Sequence, residues 1–169
     1  LDTSRDGHPN GDLSGAQLEQ LDELASRADR PVLVFGHHPI WDERTEERND
    51  HTFGLLPSAT DGLIEVFGRR ERLVGYFAGH THRNRVVRTP YRPEVPFAEV
   101  ACVKDFPGSW AEYRVFDGGI LQVHRRIATP EALRWSERTR AMFGGAYPAY
   151  ASGATEERCF VVCGPQTPR

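Results

Sequence analysis

"LVGYFAGHTHRNRV" (residues 73–86) is an apolar run that stops at alanine and glycine, then sets two histidines one residue apart. A second stretch, "RPVLVFGHHPIW" (30–41), repeats the grammar: apolar run, glycine, histidine. Short continuous apolar runs suit strands buried on both faces, as at the centre of a parallel sheet. Between the two runs, Leu63, Ile64, Val66 and Phe67 recur at helical spacing. That helix would be capped by Ser58 or Asp61 and end near Arg72. Strand, helix, strand in this order predicts a crossover unit and an α/β core. Ligands of open α/β sheets gather beyond the carboxyl ends of the strands, which is where His37 and His80 stand.

Working outward, residues 1–3 read as the tail of a strand. Residues 5–12 are turn-rich, with Gly7, Pro9, Asn10 and Gly11. Ser14 then reads as an N-cap with Gln17 as its capping-box partner, and Leu18, Leu21, Leu24 and Ala25 carry a helix to about Arg27. Residues 41–57 are polar and aperiodic, a long loop of the kind that is often functional. Downstream the texture changes: residues 85–89, 97–103 and 110–116 read as strands. "FDGG" (116–119) is a hairpin turn and residues 120–127 return from it. Thr129 and Pro130 open a helix expected to reach about Phe143. "GGAYPAYASG" reads as loop, and residues 157–163 as a short strand.

Composition narrows the function classes. The chain has 169 residues, 38% hydrophobic and 27% charged, a globular composition of single-domain size. A net charge of −3 leaves no footprint for nucleic acid or an acidic membrane. No apolar run has the length that spans a bilayer. A cytoplasmic location is the expectation, with any upstream signal outside view. The cysteines, Cys102, Cys159 and Cys163, are odd in number and have no common zinc-knuckle spacing, so plain thiols are expected.

The histidines carry the chemistry. Neutral imidazole is the commonest transition-metal ligand. If the chain stays extended through "HTH", His80 and His82 point the same way and Thr81 away. A lone histidine at a strand end is more often structural than a ligand; two matched strand-end motifs favour a metal site, with His37, His80 and His82 converging on one cleft. His38 should point away from His37, in a packing, supporting or substrate-facing role. His51, in the long loop, is a substrate-facing candidate.

"GHHP" (36–39) and "GHTH" (79–82), in this order and with a helix between, resemble the last two motifs of the calcineurin-like metallophosphoesterases. With "LDTS", "GDLSGAQLEQLDEL" and "RPVLVFGHHP" they are similar to the branch that includes bacterial cyclic-nucleotide phosphodiesterases. The resemblance implies the C-terminal half of a four-layer α/β/β/α sandwich, followed by an antiparallel hairpin and a C-terminal helix. Residues 1–127 would be the sandwich portion and 128–169 the helix and tail of one N-terminally truncated domain. It implies two divalent or trivalent ions (Mn, Fe or Zn), only partly ligated by this chain. His37 and His80 would hold one ion and His82 the other. The substrate would be a small phosphomonoester or phosphodiester, a cyclic nucleotide among the candidates.

The family's D-x-H, G-D and G-N-H-[DE] motifs do not occur in their expected places. "DGH" (6–8) and "NDH" (49–51) read as coincidences of composition. The acidic ligands and the catalytic histidine are therefore expected upstream, in a missing N-terminal half, and this chain alone is expected to be inactive. Two other readings stand beside this one. One is a non-enzymatic metal-binding or interaction module. The other is a mononuclear zinc hydrolase on His37, His80 and His82, with Asp42, Glu43 or Asp50 as base.

Overall fold

A computed structural model describes residues 1–164. The chain forms two compact units, one of residues 1–80 and 87–97, the other of 81–86 and 98 onward.

In the first unit, helix α1 (Gly15–Arg27) begins as its sequence dictates: Ser14 Oγ accepts from the Gln17 N–H at 3.3 Å. The Gln17 side chain does not close a capping box. Its amide instead accepts from the Asp2 N–H and donates to the Asp2 carbonyl, pinning the segment that carries Thr3. Residues 1–3 form no regular strand; the Leu1 nitrogen donates to Phe35 O and Thr3 O accepts from the Asp12 N–H.

Strand β1 (Val32–Phe35) runs parallel to β2 (Leu73–Ala78), with Val34 opposite Tyr76. Helix α2 (Pro57–Arg69) makes the crossover. Neither Ser58 nor Asp61 caps it, because it starts earlier. Leu56 is the N-cap, and Pro57 sits in the first turn, where its missing N–H costs nothing. It stops at Arg69, short of Arg72, and Arg69 and Arg70 both donate to Asp22 on α1 at 2.8 Å.

The sheet order is β1-β2-β4-β3, with β3 (Arg85–Val87) and β4 (Phe97–Glu99) contributing Val87 and Phe97 to this unit. β2 is buried throughout. β1 is an edge strand, not the central one expected, and Phe35 is 49% exposed. The core gathers Leu21, Ala25, Leu55, Leu63, Val66, Phe67, Leu73 and Tyr76. A large buried apolar side chain contributes about 1.5–3 kcal/mol, against about 0.2–1 kcal/mol for a typical exposed ion pair. Packing therefore holds the crossover.

In the second unit, β5 (Ser109–Phe116) and β6 (Gly119–Arg126) form the expected hairpin, with Phe116 opposite Gly119 and Ser109 opposite Arg126. β7 (Phe160–Cys163) pairs antiparallel with β6. Thr129 Oγ1 caps α3 (Pro130–Ser136) by accepting from the Ala132 N–H. The helix ends at Ser136 rather than near Phe143. Two short 3-10 turns follow, and Phe143 and Gly144 have positive φ. The stretch expected as loop contains α4 (Tyr147–Ser152), with Tyr147 and Ala151 buried one turn apart; α5 (Thr155–Arg158) precedes β7. No helix among the described residues is long and apolar enough to cross a membrane.

Candidate functional site

The two strand ends of the first unit are tied together where β1 and β2 stop. The Gly79 N–H donates to the His37 carbonyl at 3.0 Å, so the residues after each strand are forced into company. His37 Nε2 and His80 Nδ1 face each other at 3.2 Å. Two nitrogens bound at about 2.0–2.1 Å to one ion stand about 2.9 Å apart at a right angle and about 3.4 Å at the tetrahedral angle. At 3.2 Å one ring N–H donates to the other ring nitrogen, and the same spacing falls within the range of two ligands on one cation. Of the three histidines expected to converge, His37 and His80 make this contact.

His38 belongs to the same group of possible donors, but its nitrogens are already used. Nε2 lies 3.1 Å from the Pro9 carbonyl and Nδ1 lies 2.8 Å from Thr3 Oγ1. A carbonyl only accepts, so Nε2 carries the proton and Nδ1 accepts from the threonine hydroxyl. Thr3 Oγ1 in turn accepts from the backbone N–H groups of His37 and His38, at 3.2 and 3.3 Å. Burial, and then the neighbouring His37, hold the His38 pKa below its ordinary value. His38 is thus a neutral, doubly bonded support for the turn. It does not point away from its neighbours: its ring lies 4.9 Å from that of His37 and 4.5 Å from that of His80. The backbone has left the strand at Phe35, so strand alternation no longer applies.

Gly36 is needed here for a steric reason. A Cβ at this position would overlap the Tyr76 hydroxyl, which donates to the His38 carbonyl at 2.6 Å. Gly11 is equally constrained, since a Cβ there would come within 2.5 Å of His38 Nδ1. Nothing stands within 4 Å of a Cβ built on Gly79, so the two motif glycines are not equivalent. The long loop reaches the cluster through Phe53, whose ring lies 4.3 Å from that of His80.

The second unit holds another group of possible donors: His82, Cys102 and Asp105. His82 Nδ1 lies 2.7 Å from Asp105 Oδ2, and Cys102 Sγ lies 3.6 Å from the same oxygen. Burial pushes the Cys102 thiol above its usual range. The chain is not extended through "HTH": His80 and His82 have φ of 64° and 56°. Such left-handed residues cost about 1–3 kcal/mol each and persist where surroundings over-determine them. Around His82 they do. Thr81 Oγ1 donates to Glu99 at 2.7 Å and the Tyr150 hydroxyl donates to Thr81 O at 3.0 Å. Arg83 grips the same buried Glu99 with two nitrogens, and Arg85 with a third.

The remaining candidates lie elsewhere in their own loops. His51 is exposed, its N–H donating to Asn49 Oδ1. Asp42 is buried and chelated by the Arg44 guanidinium at 2.9 and 3.0 Å. The Asp50 carbonyl accepts from Asn10 Nδ2. Sequence alone does not single out Thr3 or Asp105, and it reads Cys102 as a plain thiol. Asp105 sits in "KDFPGSW" (104–110), a stretch that could shape a substrate mouth but whose proline and glycine equally fit a plain turn.

No family model matches the chain, and no curated protein matches it. Solved structures do. A crystal structure of a dimetal phosphatase from Danio rerio superposes with a TM-score of 0.54 at 19% identity. The match covers 69% of this chain and 36% of that protein, so the chain corresponds to about a third of its length. The likeness establishes a shared fold.

Proposed function

We propose that this chain is part of a metal-dependent phosphoesterase that hydrolyses a phosphomonoester or phosphodiester at a dinuclear centre. The observation that carries the reading is the 3.2 Å separation of His37 Nε2 and His80 Nδ1, a spacing that two ligands of one cation can also have. The mixed α/β fold shared with a dimetal phosphatase supports it, as does the order of the "GHHP" and "GHTH" motifs. In this reading His37 and His80 hold one ion and His82 holds the other. Residues 1–169 belong to one phosphoesterase domain of the four-layer type. In this reading its acidic ligands and catalytic histidine, whose motifs do not occur in their expected places here, come from a further part of the full-length protein.

When bound, the ions would supply Lewis acidity toward the phosphoryl oxygens and a water acidic enough to ionise near neutrality. The chain's own residues do the positioning. Thr3 fixes the backbone N–H groups of His37 and His38, and Tyr76 fixes the His38 carbonyl, so the His37 ring is delivered from a rigid turn. Burial, and then the neighbouring His37, disfavour a positive charge on His38. The Phe53 ring packs beside His80, with centroids 4.3 Å apart. His51, exposed on the same loop, is the substrate-facing candidate, and a cyclic nucleotide is a substrate in keeping with the motif resemblance. Manganese, iron and zinc all accept imidazole.

The test is hydrolysis of bis(4-nitrophenyl) phosphate by the full-length protein, stripped with EDTA and reloaded with manganese. Activity should return with the metal. His37→Ala and His80→Ala should each reduce it by more than the roughly 10–100-fold typical of losing an outer-sphere partner. Turnover that survives EDTA, or is indifferent to both substitutions, would sink the reading.

A further inference from the structure

We infer that Asp105 is a positioning residue: its carboxylate holds His82 as the Nδ1–H tautomer, so that Nε2 is the nitrogen His82 presents to a cation. The inference rests on the metal-binding part of the reading above, but its central claim is about a proton and can be read without any metal.

A carboxylate accepts and does not donate, so the 2.7 Å contact places a hydrogen on His82 Nδ1. A neutral imidazole has one N–H, which leaves its lone pair on Nε2. The alternative, in which Asp105 and His82 Nδ1 share a cation directly, asks for more room. Two donors at about 2.0–2.1 Å from one ion stand about 2.9 Å apart or more, while the observed separation is that of a charge-assisted hydrogen bond.

Asp105 is built to stay where it is. Its N–H donates to Cys102 Sγ at 3.4 Å, and its carbonyl accepts from the Gly108 N–H at 2.6 Å. The next residue is fixed by the Phe106 N–H donating to Thr139 Oγ1 at 2.8 Å. The carboxylate is buried, and Oδ2 also lies 3.5 Å from the Tyr147 hydroxyl and 3.8 Å from Lys104 Nζ. These partners aim one oxygen at His82. Ligating histidines characteristically donate their other N–H to such a partner, which fixes the ring and raises its basicity. His82 needs this help, because its left-handed backbone leaves the ring no strand geometry to orient it.

Long-range 1H–15N spectra of the imidazoles in the metal-free, full-length protein read the tautomer directly. Wild type should show His82 with a protonated Nδ1 and a pyridine-like Nε2. Asp105→Ala should shift His82 toward the Nε2–H form. Asp105→Asn, which keeps an acceptor oxygen and nearly the same volume, should retain the wild-type tautomer. Tyr147→Phe removes another donor from the same oxygen and should leave the tautomer unchanged, separating orientation from general packing. Cobalt titrated into the same proteins should bind about 10–100-fold more weakly to Asp105→Ala than to wild type. An Nε2–H tautomer in wild type overturns the inference. So does a thiolate-to-cobalt charge-transfer band lost in Cys102→Ser, which would make Cys102, Asp105 and His82 direct ligands. Failure of wild type to bind cobalt at all would instead overturn the phosphoesterase reading, with the tautomer still decided by the spectra.

Discussion

In the first unit, two neutral hydroxyls fix the turn that carries the histidines: Thr3 gathers the His37 and His38 N–H groups, and Tyr76 holds the His38 carbonyl. In the second unit, charge does the same work. Glu99 takes Thr81, Arg83 and Arg85, and Asp105 takes His82. The donor sets differ in the same way. One group of possible donors, His37, His38 and His80, is all imidazole, while His82 stands beside a thiol and a carboxylate. A neutral scaffold suits the turn of His38, whose two ring nitrogens are both engaged by neutral partners. A charged scaffold suits a residue whose backbone is left-handed and whose ring needs an external partner.

The contrast is broken or upheld by removing one member from each side. Glu99→Ala strands two arginine side chains that are largely shielded from solvent. Breaking such a buried ion pair costs about 3–5 kcal/mol, because the surviving charge is uncompensated. Thr3→Val leaves neutral groups unsatisfied and should cost about 1–3 kcal/mol. Urea unfolding at neutral pH measures both. Equal losses would mean that charge has no special part in the second unit.

A smaller effect separates the two glycines that made the motifs look alike. Gly36→Ala must displace the Tyr76 hydroxyl or the turn itself, at about 1–3 kcal/mol for an overpacked site. Gly79→Ala meets nothing within 4 Å and should stay within about 0.5 kcal/mol. The same unfolding assay reads the pair. If Gly79→Ala proves the costlier, the steric account of the "GHHP" turn is wrong.

The sequence made the first unit legible because its signals are local. Ser14, Leu21 and Ala25 mark α1 within one helix length, and the apolar run of β2 ends at the glycine that precedes His80. The meeting of His37 and His80 follows from parallel strands joined by one crossover. The four apolar residues of β1 read the same at the centre of a sheet as at an edge, and β1 lies at the edge with Phe35 half exposed. The second unit hides its logic in distant partners. Asp105 is 23 residues from His82, inside a turn whose proline and glycine mask the carboxylate. The helix at Tyr147 was masked by the glycines and proline around it, although Tyr147 and Ala151 keep the spacing of a buried face. The left-handed turn at His82 has no local signal, since Glu99 and Tyr150 hold the neighbouring Thr81 from far along the chain.

The smallest expected effect concerns two imidazoles within the second unit. His82 faces a carboxylate, whereas His124 on β6 faces arginines. His124 Nε2 is buried without a hydrogen-bond partner, and its backbone N–H donates to Cys159 Sγ. Burial first, then Arg158 and Arg126, lower its pKa below the ordinary 6.5. The unfolded chain therefore takes up this proton before the folded one as pH falls. His124 contributes stability that is present above 6.5 and lost as pH drops through its depressed folded value. Wild-type protein should have a urea midpoint that declines with acidification below about 6.5. His124→Phe keeps the ring volume and cannot be protonated, so its midpoint should decline less over the same interval. His38, also depressed, titrates in both proteins and cancels in the comparison. Parallel profiles from pH 7.5 to 5 would show that the His124 ring finds solvent or an acceptor on protonation, and that the arginines beside it do not set its charge.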